Sequence, residues 1–231
     1  MGKLVKKMPE LCEDCYKAWM DKQMAEDRAM IAEAEKEGRK ARLERMLEAS
    51  KVGRRYASCT LENFMPVKGT EQALKTCNEY VEDFSKDSGD GLIMAGPSGT
   101  GKSHLAVAIV KAIAATGKLA IFQSVPELLA KLRLTYDKNN DGETEDEILE
   151  QLTKCDLLVL DDIGAEKQSA WTEERLYLLI DRRYRDKRAT IVTTNLNYNE
   201  IEKLLGTRAM DRLLETCGIV KLTASSYRRR S

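Results

Sequence analysis

The sequence predicts an α/β fold, a five-stranded parallel sheet covered by helices on both faces and preceded by a helical arm. Three observations predict it. Gly96-Pro97-Ser98-Gly99-Thr100-Gly101-Lys102-Ser103 fits the G-x-x-x-x-G-K-[ST] phosphate loop and joins the apolar run Leu92–Ala95 to the helix-like stretch Leu105–Val110. Five short, nearly continuous apolar runs are separated by helical patterns, as expected of parallel strands buried on both faces. Three of those runs end at Gly96, Asp161 and Asn195, and open α/β sheets bind their ligands at the carboxyl ends of the strands.

Composition bounds the rest. A chain of 231 residues with 42% hydrophobic content can hold one substantial domain and an appendage. Lys and Arg total 38 and so do Asp and Glu, so net charge demands no nucleic-acid partner, and only a local basic patch would argue for one. No apolar run approaches a membrane span, and the Met1 end, MGKLVKKMPE, lacks the apolar core of a signal peptide. A cytoplasmic location without a membrane partner is expected. Cysteines at 12, 15, 59, 77, 155 and 217 read as reduced thiols.

Residues 1–50 form the arm and 51–231 the domain. From Tyr16 to Ala49 the chain is rich in Glu, Lys, Arg, Ala and Met, with no Pro and Gly38 alone, and reads as one long or two shorter exposed helices. Trp19, Met20, Met24, Met30, Ile31, Leu43, Met46 and Leu47 make a stripe too thin for a core. It suits either a solvated arm or docking onto another protein. Cys12-Glu-Asp-Cys15 has the spacing of half a zinc site without a visible second half. A zinc site shared between two chains, one completed by Cys59, and a structural thiol pair all stay open.

Gly53 and Pro66 break the helical pattern and place the domain boundary at residue 51. Thr70 is expected to cap a helix carrying Leu74, Cys77, Tyr80, Val81 and Phe84 on one face. After the phosphate loop, Gly117 closes a helix, Lys118–Phe122 is a strand, and Ser124 with Pro126 opens the next helix. A loop at Asn139–Gly142 and a short helix through Ile148, Leu149 and Leu152 follow. Asp137, Asn139 and Asp141 suggest a calcium loop, but its terminal bidentate position would be Ile148, which rules it out. The remaining strands are Leu157–Asp162, Ala189–Asn195 and Gly218–Leu222.

The glycines at 96, 99 and 101 let backbone N–H groups turn inward around an anion, and the helix that starts near Lys102 points its positive end at the same place. Lys102 would reach the β- and γ-phosphates of ATP and the Ser103 hydroxyl would ligate Mg2+. Asp161 would hold that Mg2+ through its water shell, and Asp162 would orient the attacking water.

From Tyr56 to Arg228 the chain resembles bacterial replicative helicase loaders of the DnaC and DnaI type, which are AAA+ ATPases related to the IstB transposition helpers. The matching words are Thr60-Leu-Glu-Asn-Phe64, Gly96–Ser103 continuing as His104-Leu-Ala, Leu157–Glu166, Thr193-Thr-Asn195, Leu205–Leu213 and Ser226-Tyr-Arg228. The resemblance implies a P-loop AAA+ core. With nine residues left after Leu222, it is expected to lack the separate helical lid, as the resemblance to the loaders also implies. It implies that Asn195 is a sensor near the γ-phosphate and that Arg212, with Arg208 one turn away, is an arginine finger acting on a neighbouring subunit. Arg228 is implied to be a second sensor, contacting the phosphates of its own nucleotide. The alternative for each arginine is a surface ion pair, with Asp211 and Glu215 close by in sequence. Asp162 stands where many AAA+ proteins carry Glu, so hydrolysis is expected to be slow unless DNA or a partner stimulates it.

The function expected is ATP-dependent loading of the hexameric replicative helicase onto single-stranded DNA, with self-association completing each site. Lys111, Lys118, Lys131 and Arg133 are the candidate DNA contacts, without a visible aromatic platform. The rivals are an IstB-like ATPase beside a transposase on duplex DNA and an adaptor switched by ATP without turnover. A small-molecule phosphotransferase would need an arginine-bearing lid that the sequence lacks.

Overall fold

The computed structural model describes residues 16–17, 19–28, 30, 53, 56–84, 89–136, 142–165 and 168–227. The chain divides into two compact units, Met1–Arg42 and Leu43–Ser231. In the first, the described residues are helical, with Trp19 half-buried and Met24 and Met30 exposed. Cys12, Cys15 and the expected boundary at residue 51 lie outside the described residues.

The second unit is the α/β fold. Its strands are β1 (Gly91–Ala95), β2 (Ala120–Ser124), β3 (Leu157–Ile163), β4 (Ala189–Thr194) and β5 (Cys217–Lys221). They form one parallel sheet in the order β2-β3-β4-β1-β5. Helices are α1 (Glu71–Asp83), α2 (Lys102–Ala115), α3 (Val125–Leu134), α4 (Glu145–Lys154), α5 (Ala170–Arg185), α6 (Tyr198–Leu205) and α7 (Thr207–Thr216).

Alternation along the strands explains their apolar character. Met94, Leu157, Val159 and Ile191 point into one core with α1 and α2, while Ile93, Leu158, Leu160 and Val192 point into a second with α3 to α7. Both faces are covered, so the central strands are nearly continuously buried. Arg183 of α5 is a charged residue within this core. It is fully buried, and its guanidinium donates to the carbonyls of Leu152, Thr153, Cys155 and Ala189 and to Thr190 Oγ1. It ties α4 and the starts of β3 and β4 together, and burial pulls its pKa down.

Local details differ from the expected ones. Thr70 starts α1, but its hydroxyl bonds back to Val67, and the Glu71 carboxylate accepts the N–H groups of Gly69 and Thr70 instead. Ser124 makes no side-chain cap for α3, because it is the last residue of β2, paired with Asp161. That strand starts at Ala120 rather than Lys118, since Leu119 is still bonded to the Asp156 side chain. The short helix is α4, opened by a capping box between Thr144 and Glu147. Among the described residues, no helix is long and apolar enough to cross a membrane.

Candidate nucleotide-binding site

The phosphate loop leaves β1 between two neighbours. Gly96 N–H donates to Thr194 O at 3.2 Å, and Leu222 N–H donates to Ala95 O at 2.9 Å. Gly96 is required by close approach: a Cβ there would lie 2.1 Å from Leu222 O. Gly101 precedes α2 at φ 98°, where a Cβ would also strike the Phe64 ring. Within the loop the buried Thr100 hydroxyl donates to Pro97 O at 2.9 Å, while Pro97 and Ser98 are exposed.

Lys102 and Ser103 open α2 beside the end of β3. Lys102 Nζ donates to Gly96 O at 2.7 Å and Pro97 O at 2.9 Å, so an arriving phosphate competes with the loop's own carbonyls for it. Ser103 Oγ donates to Asp161 Oδ2 at 3.1 Å, and Thr193 Oγ1 donates to Asp161 Oδ1 at 2.6 Å. Asp161 is 7% exposed, and burial raises its pKa against the two hydroxyls that favour its charge.

The two carboxylates do not stand at the strand's end. β3 runs on to Ile163, and a register shift against β4 between Leu160 and Ile163 turns Asp161 inward and Asp162 out. Asp162 is exposed, has φ 61°, and donates its N–H to Thr193 Oγ1 at 2.9 Å.

Lys102, Ser103, Asp161 and Asp162 share a cleft of about 430 Å³ with Tyr56, Phe64, Met65 and Tyr227. One end is polar and glycine-rich, the other aromatic, which suits phosphates and a base. His104 joins the two halves: its Nε2 lies 3.0 Å from Thr60 O and 3.1 Å from Asn63 Oδ1, and its ring packs edge to face with Phe64, ring centres 5.2 Å apart. Tyr227 N–H donates to Gly99 O at 2.8 Å, and its hydroxyl donates to Met65 O at 2.5 Å. The chain's last described residue therefore closes the aromatic end.

The other candidates are dispersed. Asn195 is exposed one residue past β4 and does not line the cleft. Arg208 is exposed on α7. Arg212 Nη2 pairs with Asp181 Oδ1 at 2.6 Å rather than with Asp211 or Glu215, and its guanidinium lies over the Tyr177 and Tyr184 rings. Arg228 lies outside the described residues. Lys111 Nζ donates to the carbonyls of Tyr56, Ala57 and Cys59 and staples that turn to α2.

Ser103 and Asp161 offer the hard oxygen pair that Mg2+ takes when phosphates and waters complete its shell. Among the described residues, no group of three or more His, Cys, Asp or Glu could hold a metal by itself.

A profile of the family described as IstB-like ATP binding protein matches residues 5–231. The chain belongs to that family. It is 33% identical over 220 residues to the replicative helicase loader DnaC of Escherichia coli (strain K12), covering 92% of this chain and 87% of that one. The crystal structure of the DnaC helicase loader superposes with a TM-score of 0.66 at 29% identity, over 74% of this chain and 99% of that chain. DnaI, at 24% identity and a TM-score of 0.63 over 75% of this chain and 95% of that chain, shares the fold. The five-stranded core thus has the AAA+ type of fold.

Sequence reasoning passed over three features. Thr193 was visible only as part of Thr193-Thr-Asn195, where Asn195 took the role. Tyr227 and Phe64 meet across 162 residues of intervening chain, a pairing no local pattern encodes. Trp171 stood alone in sequence, yet the guanidinium of Arg133 from α3 lies 5.0 Å and that of Arg175 5.9 Å from its ring centre, and the Tyr136 ring packs edge-on with the two ring centres 6.3 Å apart.

Proposed function

We propose that this protein loads a hexameric replicative helicase onto single-stranded DNA under the control of ATP binding and hydrolysis. The contact between Ser103 and Asp161 carries the reading, because it brings the last residue of the phosphate loop against a buried carboxylate where a nucleotide-bound cation would sit. Likeness to the DnaC loader over most of both chains supports the choice of partner.

Gly96–Ser103 hold the phosphates of ATP, with Lys102 leaving the loop carbonyls to meet them, and Ser103 and Asp161 hold Mg2+. When bound, the metal neutralises charge that develops on the phosphates. Asp162 accepts the proton of the attacking water from its exposed position on the bulge. Asn195 orients that water once nucleotide and neighbour close the site, and Arg228 contacts the nucleotide of its own chain.

Arg212 serves a neighbour's site. It borders a recess with Gly89 and Thr216, which precede β1 and β5, whereas the phosphate loop follows β1 at the opposite, carboxyl ends of the strands. Arg208, one turn nearer the carboxyl ends of the strands and exposed, is ready to act in trans, and Arg212 must first leave Asp181. Single-stranded DNA stacks on the patch of Trp171, Tyr136 and Arg133, which supplies the aromatic and cationic surface such strands use. Residues 1–50 hold the helicase.

Titration with a fluorescent ATP analogue tests the site. Lys102→Ala should weaken Mg2+-dependent binding by about 30-fold or more, the 2 kcal/mol or more expected for removing one member of a buried charge pair. Equal binding by both proteins would refute the nucleotide reading.

A further inference from the structure

The buried Asp161 and the exposed Asp162 share a neighbour that the phosphate-loop chemistry leaves without a role. Thr193, in β4, is 1% exposed. Its hydroxyl donates its one proton to Asp161 Oδ1 at 2.6 Å and accepts the Asp162 N–H at 2.9 Å. The other threonines of β4 bond elsewhere: Thr190 Oγ1 receives Arg183 Nε and Thr194 Oγ1 donates to Ile163 O. Thr193 is the one that touches the acidic pair.

Two consequences follow from that bridge. Asp161 Oδ2 takes the Ser103 hydroxyl, so Thr193 holds the second oxygen and fixes the carboxylate plane from the opposite side. Without it the carboxylate is free to rotate about its terminal torsion, which is intrinsically broad. Asp162, at φ 61°, sits in a conformation most residues avoid, and Thr193 satisfies its N–H where the β3–β4 ladder is interrupted. One buried hydroxyl thus sets the direction of one carboxylate and the backbone beneath the other.

We infer that Thr193 is a positioning residue of the nucleotide site, aiming Asp161 at the Mg2+ of bound ATP and fixing the backbone that presents Asp162. The inference rests on the nucleotide reading of the preceding section. Partners that orient a metal ligand from behind are worth about 10–100-fold in metal affinity or activity.

The test compares wild type, Thr193→Val and Thr193→Ser in the full chain. Valine keeps the shape and the β-branched strand preference and removes the hydroxyl, and serine restores it. Binding of N-methylanthraniloyl-ATP is followed as Mg2+ is raised, with melting temperature recorded on the same samples. For Thr193→Val the Mg2+ concentration giving half-maximal tightening should rise about 10-fold or more, with metal-free binding through Lys102 and the loop unchanged. Hydrolysis at saturating Mg2+ should lose kcat rather than gain KM, and Thr193→Ser should recover both properties.

A Thr193→Val protein with the wild-type Mg2+ response would overturn the inference and leave the nucleotide reading standing. So would equal impairment of the Val and Ser variants in step with lowered melting temperatures, which would make the residue structural. A wild-type protein that binds no nucleotide at any Mg2+ concentration would overturn both.

Discussion

Arg212 of α7 and Asp181 of α5 meet at 2.6 Å, and the other Asp181 oxygen pairs with Arg185 at the same distance. Asp181 is nearly buried, while Arg212 is about a quarter exposed and lies over two tyrosine rings. The residue expected to reach a neighbouring subunit is therefore also part of the packing between α5 and α7. Stability and activity should separate the two roles.

Arg212→Ala should lower unfolding free energy by about 1–3 kcal/mol, the range for removing a charged hydrogen-bond partner from a buried acid. Arg208→Ala, at an exposed position, should stay within about 0.5 kcal/mol of wild type. Both should reduce ATP hydrolysis in the assembled state without weakening nucleotide binding by the isolated chain. Chemical denaturation beside steady-state hydrolysis checks this. Wild-type hydrolysis in both variants would remove the trans assignment.

Position 162 explains its own side chain. At φ 61° a longer or bulkier residue is disfavoured, and Asp and Asn are the polar residues that tolerate the left-handed region best. Asp162→Glu should therefore cost about 1 kcal/mol in stability and bring no gain in hydrolysis, although Glu is the usual base elsewhere. Asp162→Asn should fold as wild type and lose about 10²-fold or more in kcat with ATP binding retained. Faster hydrolysis by the Glu variant would contradict the conformational account.

Buried thiols set an alkaline limit. Burial pushes Cys77 from its ordinary value of 9.0 to about 12 and Cys217 to about 11. The folded state keeps these protons when the unfolded chain releases them, so their contribution is intact below pH 9 and is withdrawn as pH rises toward the folded values. Melting temperature should fall above about pH 9, and Cys77→Ala should flatten that fall while lowering the plateau through lost packing. A profile unchanged by the substitution would place the alkaline loss elsewhere.

The strands and the phosphate loop were legible because their signals are local: apolar runs of strand length, glycines at fixed spacing, a carboxylate pair after Leu160. What was not legible depends on contacts distant in sequence. The bulge that separates Asp161 from Asp162 arises from pairing with β4, and Thr193 reads as an ordinary β-branched strand residue until β4 lies beside β3. Thr70 shows the opposite error, in that a capping residue type at a helix start used its hydroxyl on the preceding turn. Arg212 was expected to be an arginine finger, with a surface ion pair to Asp211 or Glu215 as the alternative, and the pair it makes is instead with Asp181, which α5 brings across from another part of the chain.

The most direct test of the account is light scattering of the purified protein with the hexameric replicative helicase of its own source, with and without ATP, using the full chain and a chain lacking residues 1–50. The account predicts a stable complex that forms with the full chain and disappears with the deletion. Failure of the full chain to bind that helicase in every nucleotide condition would contradict it, and binding to duplex DNA beside a transposase would then be the reading to pursue.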